Sequence, residues 1–193
     1  FKAQDVTPSS PISVSFLTPM AANNDAVQIT PNVRGAYAWS GNTMTFTPAE
    51  PWTLGTTVNV TVTREARSWL MRRAEKDFTW SFQVLTAPSV LQTTPKQGAQ
   101  FAYAQDRLSI TFNREMDRAS VENRLKIEPV IPNMQLMWQK NLLVIGGNLR
   151  PSTTYKISLP SGAKDSLGLT TPSDFAWSFT TTQQYPYLAI INI

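Results

Sequence analysis

Phe78-Thr-Trp-Ser-Phe82 returns as Phe175-Ala-Trp-Ser-Phe179. In each copy the first, third and fifth residues are large and aromatic, and a small residue (Thr79, Ser81, Ala176 or Ser178) lies between them. Period-two alternation of this kind marks a half-buried strand. The agreement extends outward in both directions. Ile12-Ser-Val-Ser-Phe16 is answered by Leu108-Ser-Ile-Thr-Phe112. Trp39-Ser-Gly-Asn42 matches Trp138-Gln-Lys-Asn141, and Gly55-Thr-Thr-Val58 matches Ser152-Thr-Thr-Tyr155. Ordered matches at a period near a hundred residues imply one folding unit written twice. Copy one covers residues 1–86 and copy two residues 87–182.

Further strands are expected at Ala26–Ile29, Ala36–Trp39, Thr43–Thr47, Val58–Thr63 and Phe78–Val84. In copy two they are expected at Arg124–Ile127, Gln135–Trp138, Leu142–Ile145, Tyr155–Leu159 and Phe175–Thr181. Ser40-Gly41-Asn42 and Gln139-Lys140-Asn141 read as tight turns, since Gly and Asn tolerate positive φ. Pro31 and Pro129 end strands because proline cannot donate to the ladder. A helical turn or loop is expected after Met20 and after Met116. Short strands at this spacing, punctuated by Pro, Gly and Asn, indicate an all-β fold: two tandem antiparallel β-sandwiches. Trp39, Trp80, Trp138 and Trp177 recur in both copies and read as packing residues. Trp52 has no counterpart and reads as a loop anchor or a contact to a neighbouring domain.

The ends of the chain are read differently. Copy two opens with an extra strand-like stretch in residues 88–99. Copy one has only residues 1–10 before its first equivalent strand, so its leading strand reads as truncated. The chain begins at Phe1 without Met, as a mature or excised fragment would. Tyr187–Ile193 is strongly apolar and reads as the first strand of a following module (residues 183–193) or a terminal strand that docks.

Composition narrows function mainly by exclusion. The 193 residues are 41% hydrophobic and 16% charged, with neither Cys nor His. A Ser-His-Asp or Cys-His nucleophile system needs residues the chain lacks. The same holds for a His- or Cys-ligated zinc site and for a disulfide scaffold. No apolar run approaches the ~18–20 residues of a membrane-spanning helix. The net charge of +4 is spread along both halves rather than gathered in a stripe, which argues against nucleic acid as a partner.

Several clusters carry potential chemistry. Arg64, Arg67, Arg72, Arg73 and Lys76 share one loop with Trp69 and Met71. Arg suits carboxylate or phosphate recognition, and Trp suits stacking on sugars or rings. Arg67, Trp69, Arg72 and Arg73 therefore form the candidate interaction surface. The same segment also reads as a solvated loop balanced by Glu65, Glu75 and Asp77. Asp165 and Asp174 bracket a turn in which oxygens could surround Ca²⁺, but the spacing fits an Asp bonding its own backbone. Glu115 and Asp117 sit between Arg114 and Arg118 and read as an exposed charged loop, not a hydrolytic pair. No catalytic residue, metal ligand or cofactor is expected.

Taken in order, Val14-Ser-Phe16…Pro19-Met20, Trp39…Asn42-Thr-Met-Thr-Phe-Thr-Pro48 and Trp80-Ser-Phe82 resemble the bacterial immunoglobulin-like domains of the S-layer type. Ile110-Thr-Phe112…Glu115-Met116-Asp117 and Trp177-Ser-Phe179-Thr-Thr181 carry the same resemblance in copy two. It implies a non-enzymatic spacer or interaction segment of a bacterial extracellular or cell-envelope protein. Partners would be neighbouring domains of a longer protein, or a cell-wall polymer, glycan or protein. Members often carry Asp-x-x-Gly before the last strand. Asp165-Ser-Leu-Gly168 keeps it, and copy one replaces it within Arg64–Lys76, where an adhesion function could reside. The copies are also similar to the macroglobulin-like domains of bacterial macroglobulin protease inhibitors. That similarity implies an N-terminal arm, since the thioester needs Cys. The join Leu85-Thr-Ala-Pro-Ser-Val90 is short and contains proline, which limits bending more than a Gly/Ser tether would. A semi-rigid rod is expected.

Overall fold

The computed structural model describes residues 2–102 and 107–183. The apolar stretch Tyr187–Ile193 lies outside the described residues. The chain divides into two compact units, Phe1–Thr86 and Ala87–Ile193.

Unit 1 contains β1 (Lys2–Val6), β2 (Ile12–Ser15), β3 (Val27–Thr30), β4 (Gly35–Ser40), β5 (Thr43–Pro48), β6 (Thr57–Val62) and β7 (Phe78–Val84). A 3-10 turn at Asn24–Ala26 precedes β3. One sheet runs β1-β7-β6-β3 and the other β2-β5-β4. Unit 2 contains β8 (Val90–Thr94), β9 (Ala99–Ala102), β10 (Leu108–Phe112), β11 (Lys126–Glu128), β12 (Gln135–Gln139), β13 (Leu142–Gly146), β14 (Thr154–Leu159) and β15 (Phe175–Thr181). Its sheets run β9-β15-β14-β11 and β8-β10-β13-β12. Helix α1 (Arg118–Glu122) is capped by Asp117, whose Oδ1 accepts from the Ser120 N–H.

Each unit is an Ig-like sandwich because alternation gives every strand one apolar face, and two such faces close on each other. In unit 2, Leu108, Ile110 and Phe112 meet Tyr155, Ile157, Leu159, Trp177 and Phe179 in one buried cluster. In unit 1, Met44, Phe46, Val58, Val60, Phe82 and Val84 do the same. The two tryptophans of the repeated motif thus belong to separate interiors. Trp177 is 2% exposed, whereas Trp80 is only half-buried.

The pairing is not wholly antiparallel. β1 runs parallel to β7, and β9 runs parallel to β15. The two units also differ at one edge. β8 pairs antiparallel with β10, but among the described residues no strand takes that place beside β2.

The hairpin turns show why Asn is kept and Gly is not. Positive φ falls on Gly41 and on Lys140, the first loop residue in each copy. Asn serves through its side chain instead. Asn141 Nδ2 donates to the Phe112 carbonyl at 2.6 Å, and Asn42 Nδ2 donates to the Phe16 carbonyl. Each amide ties its hairpin to the preceding strand.

Trp52 anchors its loop, and it does so from within the core of unit 1. It is 3% exposed in the unit 1 core. Its ring lies 6.0 Å from Phe46 and 5.8 Å from Phe82. Its Nε1 donates to the Ser10 carbonyl at 2.8 Å. Local sequence misses this because the residue lies in a turn, outside any strand periodicity. Trp52→Ala should therefore lower unit 1 stability by about 3–5 kcal/mol, measured by urea unfolding. A loss of a few tenths would mean that the residue sits at the surface.

Candidate interaction surface

The basic loop of unit 1 is a small hairpin. Arg67 and Arg73 are bridge partners across it. The Ser68 N–H donates to the Arg72 carbonyl at 2.9 Å, and the Met71 N–H donates to the Ser68 carbonyl at 2.8 Å. Two backbone bonds, Trp69 N–H to the Pro19 carbonyl and Ala21 N–H to the Arg67 carbonyl, fasten it to the segment after β2. Trp69 and Leu70 are left at the tip.

Unit 2 builds the same hairpin from different residues. Lys164 and Thr170 are its bridge partners. The Gly168 N–H donates to the Asp165 carbonyl at 3.0 Å, and the Asp165 N–H donates to the Leu169 carbonyl at 2.8 Å. Ser68 thus stands where Asp165 stands, and Met71 where Gly168 stands. The loop that looked remodelled in sequence keeps its backbone path and changes its side chains.

That exchange alters the energetics. Asp165 is 2% exposed. Its Oδ1 accepts from the N–H groups of Leu167 and Leu169 at 2.9 and 2.8 Å. Its Oδ2 lies 3.3 Å from Arg114 Nη1, so the carboxylate is committed to its own turn and to a guanidinium. Ser68 Oγ offers one acceptor, to the Arg72 N–H at 3.2 Å. Gly168 holds φ +86° without penalty, but Met71 adopts φ 61° with a full side chain. Asp174 lies elsewhere, at the base of the unit 2 hairpin. Its Oδ1 accepts from the Ser161 N–H at 2.8 Å, and that bond holds its carboxyl below the usual range. In unit 1, Asp77 accepts from the Arg64 N–H at the same distance.

The unit 1 hairpin presents an apolar tip with a charged rim. Trp69 is 70% exposed, and Leu70, Met71 and Leu17 are exposed beside it. Trp69, Leu70, Arg72 and Arg73 border a concavity of about 470 Å³ with Leu17 and Pro19. Glu65 lies 3.4 Å from Arg73 and 4.0 Å from Arg67. It offsets the like charges that face each other across the hairpin. Both ion pairs are solvent-exposed, so each contributes well under about 1 kcal/mol. Trp69, Arg72 and Arg73 thus share this concavity, while Arg64, Arg67 and Lys76 lie outside it. Arg67 meets Arg73 across the hairpin. Leu17 and Leu70 were not singled out from the sequence. Leu17 stands where copy two has Asn113, and that substitution was its only signal.

The profile of the bacterial Ig-like domain family matches residues 2–84 and again residues 85–181. The chain belongs to that family. No curated protein matches it. Among solved structures, an L,D-transpeptidase from Mycobacterium smegmatis is 20% identical, with a TM-score of 0.37. The match covers 50% of this chain and 41% of the transpeptidase, so this chain spans about two fifths of that protein. The titin I9–I11 tandem is 8% identical over 95% of this chain and 63% of its own, with a TM-score of 0.44. The Bacteroides ovatus mixed-linkage glucan utilisation protein SGBP-B, solved with a mixed-linkage heptasaccharide, is 13% identical over 93% and 44%, with a TM-score of 0.34. Similarity at these levels carries no argument about activity. No helix among the described residues is long and apolar enough to cross a membrane.

The left-handed methionine yields a direct test. Met71→Gly removes the side-chain penalty at φ 61° and should stabilise unit 1 by about 0.5–1 kcal/mol. Differential thermal unfolding of the two proteins measures it. A destabilised variant would mean that Met71 contributes more by packing than it costs in backbone strain.

Proposed function

We propose that the chain is a non-enzymatic, load-bearing spacer segment of a bacterial extracellular or cell-envelope protein. The observation that carries this reading is the parallel pairing of β1 with β7 and of β9 with β15. In each unit the first strand of this sheet lies beside the last and points the same way. In unit 1 the chain therefore enters at one end of that strand pair and leaves at the other; in unit 2 it first passes through β8, which is bonded to β10, and then joins the pair at β9. Tension along the chain loads the shared hydrogen bonds in shear, several at once, rather than opening them one by one. The lack of Cys and His agrees with a mechanical role, since the commonest nucleophilic and zinc chemistries are closed to it. Pulled by its two ends, the chain should show two abrupt unfolding events, one per unit, on a force–extension trace. Gradual lengthening at low force, as in zipper-like peeling, would remove the spacer reading.

A second reading is favoured by the unit 1 hairpin. Unit 2 keeps the same backbone turn with Ser166 and Gly168, where unit 1 carries Trp69 and Met71. An exposed Trp beside Arg is a typical anchor for a protein or glycan partner. On this reading unit 1 also serves adhesion, through Arg67, Trp69, Arg72 and Arg73. The Trp69→Ala, Arg72→Ala double variant should lose at least about tenfold in affinity for whichever glycan or cell-wall polymer the parent binds. Its thermal unfolding should stay unchanged, because both side chains are exposed. Equal binding by parent and variant would dismiss the hairpin as the contact.

A further inference from the structure

The unit 1 hairpin is ordered by polarity from apex to base. Trp69, Leu70 and Met71 follow one another at the apex, and each is at least 60% exposed. Behind them stand Arg72 and Arg73 on one arm and Arg67 on the other, with Arg67 and Arg73 as bridge partners. The acidic residues come last. None lies between Ala66 and Ala74, and Glu65 at the base pairs with Arg73 and Arg67. Three arginines against that one glutamate leave the collar behind the apex cationic.

The exposed apex is not a place that a leading strand covers. In unit 2 that strand, β8, is present, and Pro88, Ser89 and Val90 share a cleft with Thr171, Pro172 and Phe175. The cleft lies at the base of the unit 2 hairpin. The apex beyond it stays open, and Leu167 is 60% exposed there. Leu167 sits between Ser166 and Gly168, and Lys164 is the one basic residue in 164–170. The apolar point and its cationic collar therefore belong to unit 1 and not to the shared fold.

Their chemistry narrows the partner. A sugar presents hydroxyl donors as well as acceptors. Residues 66–74 offer it almost no side-chain acceptor, because arginine only donates and Ser68 Oγ already takes the Arg72 N–H. An apolar point with a collar of donors fits a surface that is apolar within and anionic outside, as a bilayer of acidic phospholipid is. Tryptophan favours the boundary between acyl chains and headgroups. Guanidinium groups bind phosphate oxygens bidentately. Amphipathic surface elements enter a bilayer by about 5–10 Å, and two or three extended residues span that depth at about 3.3 Å each.

We propose that the unit 1 hairpin inserts its apex into an anionic lipid bilayer, with Trp69, Leu70 and Met71 below the phosphates and Arg67, Arg72 and Arg73 among them. This rests on the reading of the hairpin as a contact surface, and it names a lipid surface rather than a glycan or a protein as the partner.

The full chain is mixed with vesicles of phosphatidylglycerol and phosphatidylcholine, or of phosphatidylcholine alone, and pelleted. Partition onto the acidic vesicles should be at least about tenfold stronger, since each arginine near an anionic surface contributes about fivefold. The Trp69→Ser, Leu70→Ser variant should bind the acidic vesicles at least about tenfold more weakly. The Arg72→Gln, Arg73→Gln variant should lose most of the preference for acidic lipid. All four side chains are exposed, so both variants should melt as the parent does. Lipid brominated in its acyl chains should quench the tryptophan fluorescence of the bound parent. Trp69→Phe should still bind and lose that quenching. A parent that stays in the supernatant with acidic vesicles would overturn the proposal. Pelleting without quenching, or pelleting that both double variants retain in full, would overturn it as well. If the parent ignores vesicles but binds a glycan or a protein, and the Trp69→Ala, Arg72→Ala variant does not, the lipid proposal falls and the hairpin stands as a contact surface. Hairpin variants that match the parent in every one of these assays would remove both.

Discussion

Everything in this protein depends on keeping the inner faces of two sheets dry. A single sheet of three- to seven-residue strands would expose half its side chains to water. Closing two sheets on each other removes the apolar half at once, at roughly 25 cal/mol for each Å² buried. The inner residues keep their apolar character between copies while sizes trade, so that Phe46 and Val58 stand where unit 2 has Ile145 and Tyr155. Phe16 and Trp39 stack at 5.9 Å, and Phe112 and Trp138 stack at 6.0 Å. Their indole nitrogens find different partners, Asn24 in one unit and Glu122 in the other. Packing is the shared requirement, and the polar partner is whatever the nearby loop supplies.

Where the interior does not constrain the chain, the units have diverged, and function is sought there. The hairpin before the last strand is pinned in unit 2 by a buried carboxylate, a guanidinium and a glycine. In unit 1 the same backbone path survives with a serine, a strained methionine and an exposed tryptophan. The unit 1 turn lacks the buried ion pair and the glycine, and it carries more apolar surface at its tip. Along β2 the described residues place no strand on the side where β8 lies beside β10 in unit 2. Here β2 is short, and Ser13 and Ser15 bond across to Thr45 and Thr43 on the outer face.

Much of this was legible in the sequence because the relevant signals are local. The alternation in Phe78-Thr-Trp-Ser-Phe82 specifies a strand with an inner face wherever it occurs. Turn residues such as Gly41 announce themselves through backbone tolerance. The gathering of Arg67, Trp69, Arg72 and Arg73 was legible for the same reason, since seven consecutive residues cannot lie far apart. Trp52 was legible as a loop anchor but not as a core residue, because no pattern around residue 52 reveals its partners Phe46 and Phe82. Asn42 and Asn141 were read as turn formers, yet their amides reach back to Phe16 and Phe112, 26 and 29 residues away.

Sequence alone determined that there are two copies, that each is a β-sandwich, and that nucleophilic chemistry based on Cys or His is closed to both. Those conclusions need only residue type and spacing. The folded structure decided which tryptophan is buried and that Asp165 pairs with Arg114, 51 positions earlier. It also decided that β1 lies parallel to β7 and β9 parallel to β15. These are contacts between segments distant along the chain. They follow from how whole sheets close on each other, a consequence of summed burial that no short stretch of residues encodes.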